Sequence, residues 1–130
     1  MTYLLDVNAL LALGFIQHEF HPRVAAWMRK TPNLQLATCS ITELGFVRVL
    51  AQAPAYGLSI QQARTLLVRL KRAASPSFTF IADAHDISHL PAWVRSAKQV
   101  TDGHLAQLAG AGGAVLATLD AKIPGGFLIP

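Results

Sequence analysis

Residues Tyr3-Leu4-Leu5-Asp6-Val7-Asn8-Ala9-Leu10-Leu11-Ala12-Leu13 set one carboxylate and one amide between two apolar runs. A buried strand ending in Asp6, followed at once by a buried helix, accounts for that pattern. Open α/β sheets bind their ligands beyond the carboxyl ends of their strands. An acid at such an end therefore raises the question of what else a parallel sheet would bring to it.

The chain has 130 residues, enough for one domain spanning 1–130 and too few for two ordinary ones. With 52% hydrophobic and 14% charged residues it is a compact globular chain, and disorder is excluded. The apolar run Val7 to Ile16 carries Asn8 and is too short to cross a bilayer. No basic segment precedes it, so neither a signal peptide nor membrane association is expected. The single cysteine, Cys39, cannot form an intramolecular disulfide, which suits a reducing, cytoplasmic setting and a buried filler role. A net charge of +4 favours acidic partners such as nucleic acid.

Strand and helix signals then alternate. His21-Pro22 opens a helix carrying Val24, Trp27 and Met28, closed by Arg29, Lys30 and Pro32. Leu34 to Thr38 reads as a second strand. Ser40-Ile41-Thr42-Glu43 and Ser59-Ile60-Gln61-Gln62 both fit a capping box before an apolar helix. On that reading the Glu43 carboxylate reaches back to the Ser40 amide. Phe78 to Ile81 reads as a third strand, Trp93 and Val94 as a short helix, and Thr101 as the N-cap of a late helix with Asp102 in its first turn. Gly110, Gly112 and Gly113 end that helix. Ala114 to Leu119 is a fourth strand ending in Asp120, and Phe127 to Ile129 an edge strand. This is one α/β domain with a mainly parallel sheet of four to five strands flanked by helices.

Of the seven acids, Asp6 and Asp120 end strands, while Glu43 and Asp102 lie in first turns of helices. All four positions fall at the same edge of a doubly wound sheet. Crowded carboxylates repel and raise one another's pKa unless a cation lies between them. Oxygen-only ligands select Mg2+ or Mn2+, and such ions activate water against phosphodiesters. Asn8, Thr118, Ser40 and Thr38 stand close enough along the chain to orient carboxylates or water. Arg64, Arg69, Lys71 and Arg72 cluster on or near the fourth helix. Cations near a helix C-terminus account for them, and a phosphate-contacting rim that includes Arg48 is the functional alternative. His85 and His89 have helical zinc spacing, but no glutamate stands between them in the protease pattern and Pro91 follows closely, so ordinary loop roles account for them.

The order and separation of Leu5-Asp6-Val7-Asn8-Ala9-Leu10, Ser40-Ile41-Thr42-Glu43, Val100-Thr101-Asp102-Gly103-His104-Leu105-Ala106 and Ala117-Thr118-Leu119-Asp120 resemble the PIN-domain ribonucleases. The likeness is strongest to the toxins of VapBC toxin–antitoxin pairs and covers essentially the whole chain. It implies a PIN-like fold and an endoribonuclease acting on RNA. Asp6, Asp102 and Asp120 would ligate the metal, with Glu43 binding it directly or through water. It also implies an antitoxin partner and a homodimer. Gly103 stands where the family often has alanine, and Ala121 to Pro124 lacks its usual short aromatic turn.

Two other readings remain open at this level. One is a catalytically silent PIN-like module that binds RNA or protein. The other is a phosphatase of the haloacid dehalogenase type, with Asp6 as phosphoryl acceptor, although Asn8 stands where that family generally wants a second aspartate.

Overall fold

The computed structural model describes residues 1–130. Its five strands are β1 (Thr2–Leu5), β2 (Gln35–Thr38), β3 (Ser77–Phe80), β4 (Ala114–Thr118) and β5 (Phe127–Leu128). They form one sheet in the order β3-β2-β1-β4-β5, with every neighbouring pair parallel. The chain moves outward from β1 through β2 to β3, then crosses to the other side of β1 for β4. The direction of winding thus reverses between β1 and β4, where ligands of such sheets collect.

Strand periodicity decides which side chain faces which layer. Leu5, Leu36 and Ala117 point to one core, shared with α1 (Val7–Gly14), α2 (His21–Lys30), α3 (Ser40–Gln52) and α4 (Ile60–Arg72). Leu4, Ala37 and Leu116 point to the other, covered by Leu105, Leu108 and Ala109 of α5 (Val100–Ala111). The edge strand β5 is held through Phe127, whose ring packs against Tyr3 and Trp27 at centroid distances of 4.8 and 5.5 Å. No helix is long and apolar enough to cross a membrane.

The starts of the helices follow local chemistry, with three departures from the sequence reading. Pro22 stands in the first turn of α2, and Ser59 and Gln62 close the expected capping box at 2.9 and 3.1 Å. The α3 box is shifted by one residue. Cys39 is the N-cap, and the Thr42 hydroxyl, not Glu43, accepts from its amide at 3.0 Å. Ser40 is already helical, so the Glu43 carboxylate is free for other partners. Thr101 is likewise inside α5. The 3₁₀ turn Ala97–Gln99 runs directly into the helix, so no extended residue precedes it to act as a side-chain cap. Trp93 and Val94 lie in a turn, between 3₁₀ segments at Ile87–His89 and Ala97–Gln99.

Val94 also explains the departure at Gly103. A Cβ at that position would lie 2.2 Å from Val94 Cγ2, so only glycine lets the loop close on the first turn of α5. Gly103→Ala is expected to destabilise the fold by about 1–3 kcal/mol through overpacking, despite alanine's better helix propensity. Val94→Ala in the same chain should recover most of the loss. Urea melts of the single and double variants check this, and a double variant no more stable than Gly103→Ala would remove Val94 as the cause.

Candidate active site

The β1–β4 pairing sets Leu5 beside Ala117, and the Asp6 amide continues the ladder by donating to the Ala117 carbonyl at 3.1 Å. Asp6 is also the N-cap of α1, its Oδ1 accepting from the Ala9 amide at 2.8 Å. One carboxylate therefore starts a helix and faces the switch point. Asp120 follows β4, and Asp102 sits in the first turn of α5. All three line a cavity of about 490 Å³ whose polar wall is completed by Asn8 and Thr101. Leu11, Phe20, Val49, Leu105 and Ile123 contribute apolar wall, and no lysine or arginine lines it.

The electrostatics follow from that wall. Burial pushes the Asp6 carboxyl above its ordinary 3.8, with the Asp102 and Asp120 charges adding to the rise; hydrogen bonds from Thr118 and the Ala9 amide oppose it. Asp102 is also raised, by burial first and then by Asp120. Thr118 is buried at the end of β4. Its Oγ1 accepts from the Asp120 amide at 2.9 Å, and its nearby hydroxyl lowers the Asp6 pKa.

Three all-oxygen carboxylates on a wall without cationic side chains suit a hard divalent ion. As their side chains lie, they do not form a three-residue group that could hold a metal ion. A hydrated octahedral ion does not require one, since it can meet some of these carboxylates directly and the others through its waters.

Glu43 is placed differently from the other three acids. It stands in the first turn of α3 but does not line the cavity. Its Oε2 accepts from the Thr38 hydroxyl at 2.5 Å and from Lys71 Nζ at 2.6 Å. The pair is partly solvated, so its net worth is of order 1 kcal/mol. Ser40 is exposed at the start of α3, outside the cavity, and Thr38 is the hydroxyl that contacts an acid instead. The arginines also lie elsewhere. Arg64, Arg69 and Arg72 share a hollow along α4, and Arg48 borders another with Leu44 and Ile60. The Lys71–Glu43 contact brings the last turn of α4 beside the first turn of α3. His85 and His89 stack at 4.5 Å, and no three metal-ligating side chains gather around them.

Two residues at or behind the wall escaped the sequence reading: Phe20 lines the cavity, and His18 contacts the lining residue Asn8 from behind. His18 is buried between α1 and α2, and its Nε2 lies 3.0 Å from Asn8 Oδ1. Phe20 closes the cavity from the same turn. A histidine in an inter-helix turn carries no local signal of this kind.

Comparison with known proteins gives a consistent picture. No protein-family model matches the sequence. Ribonuclease VapC38 of Mycobacterium tuberculosis is 40% identical over 126 residues, covering 92% of this chain and 86% of its own. Ribonuclease VapC44 of the same organism is 38% identical over 129 residues, covering 95% and 89%. Among solved structures, that of VapBC2 from Rickettsia felis bound to a DNA fragment from their promoter aligns with a TM-score of 0.57. The alignment covers 98% of this chain and 97% of that one at 16% identity, which speaks to the fold.

The raised carboxyls make a stability prediction. A group whose folded pKa exceeds its unfolded value favours folding while protonated, and that contribution is lost as pH rises above 3.8 through the folded value. In chelator at pH 7, Asp6→Asn should therefore melt at a higher temperature than the parent, since asparagine keeps the N-cap without the charge. The difference should vanish below pH 3.8. Added Mg2+ should raise the melting temperature of the parent and leave the variant's unchanged. Calorimetry across pH, with and without Mg2+, checks all three statements.

Proposed function

The chain belongs to the VapC ribonuclease family, and from that premise we propose that it hydrolyses RNA phosphodiester bonds using Mg2+ or Mn2+ held by Asp6, Asp102 and Asp120. The observation that carries this reading is the convergence of three carboxylates from β1, β4 and α5 on one cavity that has no cationic side chain. When bound there, such an ion supplies an activated water and charge neutralisation for the phosphate. The protein's own contribution is positional. The Ala9 amide holds Asp6 in place, and Thr118 accepts from the Asp120 amide. Leu11, Phe20, Val49 and Leu105 limit water around the reacting groups. Glu43, neutralised by Lys71, assists at the rim and is not one of the principal ligands. Arg69 and Arg72, in the last turn of α4, supply phosphate contacts to the flanking RNA, with Arg64 and Arg48 further along the surface.

In this reading the chain is the toxin of a toxin–antitoxin pair, and an antitoxin protein is its partner. The solved VapBC2 complex supports that assignment. The apolar hollow bounded by Phe15, Ile16, Leu58 and Leu66 offers an amphipathic helix a surface. A homodimer is the proposed assembly, with the exposed Leu44 and Ile60 as the apolar face available to it.

Purified protein should cleave single-stranded RNA in Mg2+ and stop in chelator. Asp102→Asn should lower the rate by more than about 100-fold, beyond the usual effect of removing an outer partner of a metal site. Glu43→Gln should cost about 10-fold to 100-fold, the range for such outer partners. Cleavage that survives chelation in a preparation free of other nucleases would overturn the metal assignment. Mg2+-saturated protein that binds RNA without cutting it would indicate the silent module instead.

A further inference from the structure

Asn8 lies two residues beyond Asp6 in α1 and borders the acid-lined cavity. Its Oδ1 is 3.0 Å from Nε2 of His18, and Nδ1 of the same ring is 3.1 Å from the Phe20 amide nitrogen. A backbone N–H only donates, so His18 Nδ1 must accept. A neutral imidazole that accepts at Nδ1 carries its proton on Nε2. Nε2–H then donates to Asn8, and the Asn8 atom that receives it is the carbonyl oxygen. His18 is only 7% exposed, and burial lowers its pKa from the ordinary 6.5, which keeps the ring neutral.

With Oδ1 committed to His18, the other limb of the planar amide carries two N–H donors. The cavity needs donors. Its three carboxylates accept, no lysine or arginine lines it, and besides Asn8 only the Thr101 hydroxyl can donate from a side chain. The nonbridging oxygens of a phosphodiester are acceptors only. We propose that His18 is a positioning residue that fixes the Asn8 amide with its Nδ2 donors toward the cavity, where they hydrogen-bond a nonbridging phosphate oxygen of the RNA. This rests on the ribonuclease reading for the identity of the anion; the His18 tautomer and the Asn8 orientation do not depend on it. The opposite amide orientation would need a proton on Nδ1, placing two donors face to face at Phe20.

Nitrogen-15 NMR of the metal-free protein at neutral pH tests the first half directly. The expected spectrum shows His18 protonated at Nε2 and bare at Nδ1; a ring protonated at Nδ1 overturns the proposal. The Asn8 Nδ2–H signals should shift on addition of single-stranded RNA with Mg2+, and unmoved signals under saturating RNA also overturn it. Kinetics supply a coupling test. His18→Ala and Asn8→Ala should each lower kcat by about 10-fold to 100-fold, and the double variant should lose no more than the worse single one. Losses that multiply would mean the two residues act independently. His18→Gln, which can donate again to Asn8, should recover part of the loss. If His18→Ala fails to fold, the NMR measurements on the parent chain still decide. Protein with the expected tautomer and shifts but no RNA cleavage would refute the ribonuclease reading and leave the positioning role standing.

Discussion

The pairing of β1 with β4 is the contact on which the rest depends. It joins residues more than a hundred positions apart and closes the sheet at the point where its winding reverses. One register, Leu5 beside Ala117, places the two strand-end acids and the intervening Thr118 hydroxyl together. A slip of one residue would turn Thr118 to the opposite face and expose Leu116 to the wrong layer. The buried alternation of Leu4 with Leu5 and of Leu116 with Ala117, each facing a different core, opposes such a slip. The same hydrophobic pattern that stabilises the domain therefore sets the geometry of the carboxylates.

That arrangement carries an electrostatic cost in the protein alone. Asp6 and Asp102 are both held above the usual carboxylate range, first by burial and then by neighbouring charge. Glu43 stands apart from them, with Lys71 Nζ 2.6 Å from its Oε2. The chain thus treats its four edge acids in two ways. Three face a wall without cations, and one is neutralised within the protein. Perturbed carboxyls in a concave, mainly apolar setting are characteristic of working sites, where stability is sacrificed for chemistry.

Much of this was legible in the sequence because it depends on local pattern. Apolar runs that stop at Asp6 and near Asp120 marked strand ends, and Ser59 with Gln62 marked a helix start. The strand–helix alternation gave the parallel sheet and so predicted a common edge for the acids. What was not legible depends on partners distant along the chain or on a single-residue shift. Lys71 lies 28 positions from Glu43, so no spacing rule links them. The α3 cap moved to Cys39 because Thr42 satisfies its amide, a choice that the Ser-x-x-Glu pattern conceals. Thr101 lost its capping role to a 3₁₀ turn that merges with α5. Gly103 looked like a departure from family habit until Val94 supplied the steric reason.

Cys39 sits at the joint between β2 and α3 with no exposed surface, and it is the chain's lone thiol. Alkylating reagents reach it only when that joint opens, since thiol reactivity requires access as well as ionisation. The protein consequently contains its own chemical clock. Its native-state labelling rate reports how often the strand-to-helix junction behind Thr38 and Glu43 comes apart, without any engineered probe. For the same reason, a cysteine introduced on the outer surface would be the sole site to take up a dye in the folded molecule.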